Sequence, residues 1–329
     1  MFVNLTSGRY LQKLTLKQIF TSIFHNRHNF DDFLNINVSN NIKKIEFDGI
    51  SFFKTKPELK DYQIFLNHTL ISYMKVNENV VFSYRKGTSV YEALSPHRNN
   101  KHFLKTDIKS FFGSINKSLV KQCLLSNIDE YPVTQDEIKT YLEQLTNLII
   151  YENKLPVGFT TSSKLSNAVL YEFDNKLEEY CIDNDILYTR YSDDLIFSTN
   201  KKDKLNYVIS EVQKILNRHY NNLFSLNDKK TKFYKAWERI KILGLVVTPN
   251  GNITIDKKYK KDIEVIFHYY LTNRVKFNSF FNRRFDSKMS KISGLLNHIN
   301  SVDKNYILKL RKRYGNYIVD IFLHRDKNE

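Results

Sequence analysis

Cysteine is scarce in this sequence, which has only Cys123 and Cys181 among its 329 residues. Two thiols cannot build a disulfide framework, and their spacing is not that of a metal-binding pair. A disulfide-rich secreted domain and a zinc finger are therefore excluded. We expect both cysteines to be small core residues in a protein of the reducing cytoplasm.

Long apolar runs are missing as well. No segment is apolar over the length needed to span a bilayer, and no basic amphipathic anchor is present. The start of the chain, Met1 to Thr6, lacks the charged and apolar regions of a secretion signal. Internal repeats and low-complexity tracts are absent too. These absences predict a cytoplasmic protein with no membrane partner.

Negative charge is in deficit. The chain has 35 acidic residues against 51 Lys and Arg, a net charge of +16. That excess indicates a polyanionic partner, and nucleic acid is favoured because a membrane anchor is missing. Residues 256–329 alone hold 17 basic against 8 acidic residues, a net +9. This segment is the strongest candidate for binding phosphates, although a solvated helical face would show the same charge.

Apolar residues, in contrast, are plentiful enough for a folded protein. Hydrophobic residues make up 41% of the chain and aromatic residues 14%. A disordered chain does not reach such values. At this length we expect two or three subdomains around a sizeable core.

The stretch YTRYSDDLIFS, residues 188–198, places two adjacent carboxylates between two β-prone runs. This pattern predicts a hairpin with Asp193 and Asp194 at its tip. Neighbouring carboxylates repel each other, so they need either a compensating cation or a solvated turn. A hard divalent metal would supply the cation. A simple polar turn is the alternative reading of the same residues.

A second acidic residue, Asp107, lies upstream inside the apolar run FLKTDIKSFFGSI, residues 103–115. A carboxylate is costly in such a run unless it faces a metal or a partner. If the strands carrying Asp107, Asp193 and Asp194 meet in one sheet, the three carboxylates form a cradle for two Mg²⁺ ions. Two ions so placed would support in-line phosphoryl transfer.

Together these two motifs resemble the palm of a reverse transcriptase of the bacterial retron and group II intron branch. The resemblance runs in order from about residue 45 to residue 325. It implies an α+β right-hand polymerase whose palm combines an antiparallel sheet with helices. The implied domains are an N-terminal helical segment at 1–35, fingers at 36–103, palm at 104–115, fingers and palm helices at 116–180, palm at 181–250, and a basic helical thumb at 251–329.

The resemblance also implies roles for individual residues. Asp107, Asp193 and Asp194 would be the catalytic carboxylates and the metal ligands. The residues implied to contact the incoming nucleotide are Phe112 as the steric gate, Arg85 and Lys86 at the triphosphate, Gly158 through close backbone approach, and Lys230 at the leaving pyrophosphate. In the thumb, the nucleic-acid-binding candidates are Lys309, Arg311, Lys312 and Arg313. For Phe112 a core aromatic, and for Arg85 and Lys86 a solvent-exposed turn, are the structural alternatives.

The function that the resemblance implies is RNA-directed synthesis of DNA from dNTPs. A retron enzyme would copy a cognate structured non-coding RNA, start from an internal 2′-hydroxyl and yield a covalent RNA–DNA hybrid. It would act in defence against phage with a separate effector protein. The segments Glu92–His97 and Ile242–Gly244 depart from the retron pattern. An abortive-infection or other defence reverse transcriptase therefore stays open, as does a non-catalytic RNA-binding scaffold.

Periodicity completes the prediction. Residues 80–90 read as a strand that runs into a basic turn, and residues 241–247 read as one strand. From residue 256 onward we predict three helices, at 257–272, 285–299 and 304–323.

Overall fold

The computed structural model describes residues 13–324 except 26, 48, 236 and 287. The first twelve residues of the predicted N-terminal segment and the last five of the predicted thumb lie outside the described residues. The strands are β1 Ile42–Phe47, β2 Ile50–Thr55, β3 His102–Asp107, β4 Leu187–Tyr191, β5 Asp194–Thr199, β6 Lys232–Lys235, β7 Ile240–Ile242, β8 Leu245–Val247 and β9 Ile253–Ile255.

The α-helices account for most of the remaining described chain. In chain order they are α1 Leu16–Phe24, α2 Phe30–Asn35, α3 Pro57–Thr69, α4 Val90–Leu94, α5 Phe111–Ser114, α6 Lys117–Ser126, α7 Gln135–Thr140, α8 Leu142–Asn147, α9 Ser162–Val169, α10 Tyr171–Asp183, α11 Val208–Tyr220, α12 Lys257–Thr272, α13 Arg274–Phe285, α14 Met289–Val302, α15 Lys304–Tyr314 and α16 Asn316–His324. Within the described residues, no helix is both long enough and apolar enough to cross a bilayer.

The central sheet has the strand order β4-β5-β3-β6, and its neighbouring strands are antiparallel. β4 and β5 form the predicted hairpin, while β3 is recruited from the segment that carries Asp107. This sheet therefore joins the two motifs that lie far apart in the sequence. A two-stranded sheet, β1-β2, and a three-stranded sheet, β7-β8-β9, stand apart from it.

The two faces of the central sheet belong to two different cores. Side chains alternate along a strand, so Leu104 and its partner Phe197 lie on the face opposite to Phe103 and Ile196. Leu104 and Phe197 are buried in a core that includes residues of α3, α6 and α10. Phe103 and Ile196 are buried with β7-β8-β9 and the C-terminal helices. The sheet is therefore held from both sides.

In residues 80–90 the predicted basic turn is present at Lys86 and Gly87, but the strand predicted to precede it does not form. Only Val81 forms an isolated bridge, and its partner is Arg190 of β4. The amide of Phe82 donates to the Arg190 carbonyl at 2.9 Å, and the Arg190 amide donates to the Val80 carbonyl at 2.7 Å. A left-handed residue, Tyr84 at φ +57°, then turns the chain away before a longer ladder can form.

The single strand predicted at 241–247 is a hairpin instead. Leu243 and Gly244 both have positive φ, at +52° and +79°, and they connect β7 to β8. Positive φ at both loop residues is typical of the tight turns that match strand twist. Gly244 therefore turns a hairpin in the separate three-stranded sheet and does not lie on an edge of the central sheet.

The C-terminal segment contains more helices than predicted. The helix at 257–272 is confirmed by α12, but the described residues from 256 to 324 form five helices. The extra helix α13 follows directly after α12 and packs against it. The predicted helix at 304–323 is divided at Gly315, whose φ of +88° ends α15 before α16 begins. Both cysteines are buried core residues, as predicted.

Gly158 is confined by the backbone of β2. Its φ is +108°, and a Cβ atom at this position would lie 2.5 Å from the Phe53 carbonyl oxygen. The amide of Phe53 donates to the Val157 carbonyl at 2.8 Å, which keeps the two segments together. The close backbone approach expected at Gly158 is therefore made to β2 of the chain itself.

We predict that Gly158→Ala destabilises the fold by about 3 kcal/mol or more, since strained backbone and overpacking each cost about 1–3 kcal/mol. Urea denaturation measures this loss. Gly294→Ala is the matched control, because Gly294 lies inside α14 with open space where a Cβ would stand. That variant should gain about 0.5–1 kcal/mol. Equal changes in the two variants would contradict the packing argument.

His97 joins the two strands of the hairpin, β4 and β5, at a distance from the turn that carries Asp193. The ring is fully buried, with Nδ1 2.7 Å from Ser198 Oγ of β5 and Nε2 2.8 Å from Thr189 Oγ1 of β4. Burial lowers the pKa of His97 to about 3. The imidazole is therefore neutral at physiological pH and acts as a structural hydrogen-bonding group.

This burial predicts a pH dependence of stability. In the unfolded chain the pKa of His97 returns to 6.5, so between that value and about 3 the unfolded state binds a proton that the folded state excludes. Stability is full above the unfolded pKa and falls as the pH drops, by up to about 1.4 kcal/mol per pH unit. Denaturation of wild type and His97→Gln across this window measures the difference. Identical slopes would show that His97 is charged in the fold.

Candidate active site

Three carboxylates meet at one end of the central sheet. Asp107, the last residue of β3, stands directly opposite Asp194, the first residue of β5. Asp193 occupies the hairpin turn, and its carbonyl accepts from the Ile108 amide at 3.0 Å. The structure thus brings together the residues that the sequence motifs singled out.

Two lysines neutralise this acidic end. Lys230 Nζ lies 2.8 Å from Asp107 Oδ2, and Lys105 Nζ lies 2.8 Å from Asp194 Oδ1. Lys105 shares a sheet face with Asp107 and reaches Asp194 diagonally across the strand pair. The hydrogen bond to Asp107 raises the pKa of Lys230. Each lysine therefore brings its ammonium group close enough to stabilise the carboxylate that it contacts.

The environment of Asp194 disfavours its charge. Burial raises the pKa of Asp194, and the carboxylates of Asp193 and Asp107 raise it further, while Lys105 opposes the rise. This unfavourable burial of negative charge occurs at one end of a sheet that is otherwise packed with apolar side chains. Such concentrations of unfavourable charge are typical of functional sites.

The donor atoms at this end suit a hard divalent cation. All three side chains offer carboxylate oxygens, the ligands that Mg²⁺ prefers. Asp107 is 2% exposed, and its Oδ1 is buried without a hydrogen-bond partner. Among the described residues, no group of three or more His, Cys, Asp or Glu side chains is already arranged to hold a metal ion. The carboxylate oxygens thus suit a metal ion, but binding of the ion would require Lys105 to release Asp194 and Lys230 to release Asp107.

A buried ion pair supports the hairpin from the opposite face of the sheet. Arg190 and Asp174 are both fully buried, and the guanidinium approaches the carboxylate through two nitrogens at 2.5 and 2.8 Å. Asp174 also accepts from the Tyr188 hydroxyl at 2.9 Å. Arg190 then donates to the Ser192 carbonyl at 3.1 Å and so reaches the turn that precedes Asp193.

That turn is strained and is held by its neighbours. Ser192 has φ +59°, a conformation that few non-glycine residues adopt. Its amide donates to Ser83 Oγ at 2.8 Å, and its hydroxyl lies 3.0 Å from the hydroxyl of Tyr84, itself a left-handed residue. Asn167 of α9 completes the network by donating to the Ser83 carbonyl at 2.7 Å. Helix, loop and hairpin thus fix the backbone just before Asp193.

The predicted nucleotide contacts are distributed unevenly around this site. Phe112 is half-buried in α5, which follows β3 closely, and its neighbour Phe111 is a core residue. Arg85 turns back on its own loop, where it pairs with Glu78 at 2.8 Å and donates to the Val81 carbonyl at 2.6 Å. Lys86 is exposed. Lys230 alone of these residues touches a carboxylate of the site.

The thumb candidates on α15 divide into two pairs. Lys309 and Lys312 are exposed, whereas Arg311 pairs with Asp320 of α16 at 2.6 Å. Arg313 lies 3.5 Å from Glu264. The two lysines therefore offer charge to a ligand more freely than the two arginines.

Sequence reasoning missed Lys105 and Arg190. Lys105 could have been found from strand alternation, because it lies two residues before Asp107 and so shares its face. Arg190 is a charged residue in an apolar strand, which is the same signal that singled out Asp107. Its partner Asp174 lies on a helix, and no spacing rule joins the two.

The family described as "Reverse transcriptase (RNA-dependent DNA polymerase)" matches residues 54–247. The chain is 26% identical over 240 residues to the retron Ec83 reverse transcriptase of Escherichia coli, which covers 71% of this chain and 72% of that protein. It is also 26% identical to the retron Ec73 reverse transcriptase of the same organism, over 78% of this chain and 80% of that protein.

Among solved structures, apo telomerase from Candida tropicalis shares the fold. The TM-score is 0.51 at 13% sequence identity, and the match covers 86% of this chain and 60% of the telomerase chain. At this identity the likeness speaks for the fold alone. Together with the family match it confirms the predicted α+β right-hand polymerase fold.

We predict that Arg190→Lys destabilises the protein by at least about 2 kcal/mol, because the ammonium cannot replace the paired hydrogen bonds and each such bond to a charged group contributes roughly 1.5–3 kcal/mol. Hydrogen exchange of the Ser192 amide should accelerate as well. Arg218→Lys, on the exposed side of α11, is the matched control and should change neither quantity. A loss of stability without faster exchange at Ser192 would show that Arg190 does not support the turn.

Proposed function

Because the chain belongs to the reverse transcriptase family and is an RNA-directed DNA polymerase of retron type, we propose that it copies a cognate structured non-coding RNA into single-stranded DNA. Priming from an internal 2′-hydroxyl of that RNA would leave a covalent RNA–DNA hybrid. The observation that carries the catalytic part is the convergence of Asp107, Asp193 and Asp194 at one end of the central sheet.

Reverse transcriptases generally use divalent metal ions, and we propose two Mg²⁺ ions held by these three carboxylates. The buried Oδ1 of Asp107, which has no hydrogen-bond partner, supports this assignment. When bound, the ions supply activation of the primer hydroxyl and charge stabilisation for the departing pyrophosphate. Lys230 would approach the pyrophosphate after its ammonium group has released Asp107, and its present contact with that carboxylate supports this role.

The incoming dNTP would lie between the carboxylates and α5. We propose that Phe112 packs against the sugar there and excludes a 2′-hydroxyl, which its half-buried position beside the core supports. Lys86 is exposed on the loop that the Ser83 and Tyr84 contacts fix to the hairpin, so it can reach a triphosphate. Arg85 would have to give up its pair with Glu78 to do the same. Gly158 would act through the backbone it positions against β2.

The thumb would hold the template and primer. Lys309 and Lys312 are exposed on α15, in the segment with the largest excess of positive charge. Charge of this kind binds phosphates without reading sequence. Arg311 and Arg313, which pair with acidic residues, would contribute to the positive surface and to the packing of the thumb.

We also propose a role in defence against phage with a separate effector protein, as the resemblance to retron enzymes implies. A defence reverse transcriptase that does not use a retron RNA is the second candidate, and the altered segment Glu92–His97 favours it, because His97 is used inside the palm. Sequencing of nucleic acid that co-purifies with the protein separates the two. A branched RNA–DNA molecule supports the retron assignment, and bulk cellular RNA supports the alternative.

We predict that changing Asp193 and Asp194 together to Asn lowers dNTP incorporation on a primed RNA template by at least about a thousandfold, the scale on which lost charge stabilisation acts in phosphoryl transfer. RNA binding should stay within a few-fold of wild type. The matched control changes Asp183 and Asp203, two exposed acids outside the site, to Asn. An unchanged rate in the first variant would refute catalysis by these carboxylates, whereas no incorporation by the wild-type chain would leave an RNA-binding scaffold.

A further inference from the structure

A polar cleft lies apart from the carboxylates, where three separate parts of the chain meet. Its walls come from α4 and the turn that follows it, from the β8–β9 turn, and from the junction of α14 with α15. The volume is about 750 Å³, within the range of ligand sites. We call this the junction cleft and define it by Tyr91, Arg98, Asn252, Lys304, Asn305 and Lys309.

The junction cleft concentrates positive charge that the protein does not itself neutralise. Within the described residues, the side chains of Arg98, Lys304 and Lys309 make no ion pair and no hydrogen bond. The acidic residues of the lining are already engaged, since Asp303 pairs with Lys260 at 2.7 Å and Glu92 accepts from Ser89. Three unpaired cations around one concave surface create a site for an anion.

The walls are joined to one another by backbone packing and hydrogen bonds. Gly251 has φ +77°, and a Cβ there would lie 3.1 Å from the Arg98 carbonyl oxygen, so the β8–β9 turn rests on the chain at Arg98. Across the cleft, Asp303 accepts from Thr254 Oγ1 of β9 at 2.7 Å and caps α15 through the Tyr306 amide at 3.0 Å. A preformed site of this kind binds without the cost of ordering its walls.

The remaining lining residues suit unpaired nucleotides. Asn252 and Asn305 carry amides that both donate and accept, and neither side chain is hydrogen-bonded within the described residues. Tyr91 provides a half-buried aromatic ring. Aromatic stacking, amide contacts to base edges and cations at phosphates together are the means by which proteins bind single-stranded RNA.

We propose that the junction cleft binds a single-stranded segment of RNA, a loop or an unpaired end, separately from the template strand at the carboxylates. This inference rests on the proposed function for its choice of RNA over other polyanions. Arg98 and Lys304 contact phosphates, Tyr91 stacks on a base, and the two asparagines contact base edges. The site would let the enzyme select an RNA by its unpaired segment.

The test measures binding of the full chain to three probes: a short unstructured RNA, DNA of the same sequence, and the RNA annealed to its complement. Changing Arg98 and Lys304 together to Gln should weaken binding of the unpaired RNA and reduce the slope of log affinity against log salt by about 1.4, since each single-strand phosphate contributes about 0.7. Binding of the duplex should change less. The matched control changes Lys139 and Lys202, exposed lysines outside the cleft, to Gln.

A second pair of variants tests the stacking contact. Tyr91→Leu should weaken RNA binding by at least about fivefold, whereas Tyr91→Phe keeps the ring and should retain affinity. Thermal unfolding checks that both variants are folded. The proposal is overturned if the Arg98 and Lys304 variant behaves like its control, if duplex binding falls as much as single-strand binding, or if the DNA probe is affected more than the RNA.

The proposed function is tested separately by dNTP incorporation with the unaltered chain on a primed RNA template. Absence of incorporation together with cleft-dependent RNA binding would refute the polymerase and leave the cleft standing. Incorporation without any cleft-dependent binding would support the polymerase and refute the proposed RNA site in the cleft.

Discussion

The whole arrangement depends on the antiparallel register that sets Asp107 opposite Asp194. Two carboxylates at paired positions repel each other, and a one-residue slip of β3 against β5 would send one of them to the opposite face of the sheet. The register is nevertheless maintained, because Phe103 and Leu104 on one strand and Ile196 and Phe197 on the other are buried in two separate cores. Apolar packing along the strands thus offsets charge repulsion at their end.

The polar groups of the palm fall into three layers around that register. Nearest to the carboxylates, Lys105 and Lys230 supply positive charge at 2.8 Å. Below them, neutral His97 ties β4 to β5. On the opposite face, Arg190 and Asp174 form a buried pair that reaches the strained turn at Ser192. Each layer provides partners for buried polar atoms and at the same time restrains the hairpin. The buried charges therefore lie where they fix the position of the carboxylates.

The fold explains why some nucleotide-contact assignments are stronger than others. Lys230 already reaches the acidic end from a separate segment of chain, so its position follows from the central sheet. Arg85 and Gly158 instead contact other parts of the chain, Glu78 and β2. Such contacts leave no trace in a motif, because a short pattern records the residue type and not the neighbour that it meets. Their roles at the nucleotide stay predictions, as do those of Phe112 and Lys86.

The sequence by itself predicted the hairpin and singled out three carboxylates that the fold brings together, because apolar alternation and a costly acid inside an apolar run are local signals. The family followed from the resemblance of these motifs to those of reverse transcriptases. The sequence also determined that Cys123 and Cys181 are core residues. Only the tertiary structure decided that Arg190 meets Asp174, that Leu243 and Gly244 turn a hairpin in a second sheet, and that the junction cleft forms. These features join segments that are distant in the chain, and their stability comes from packing and desolvation in the assembled fold, which no local pattern encodes.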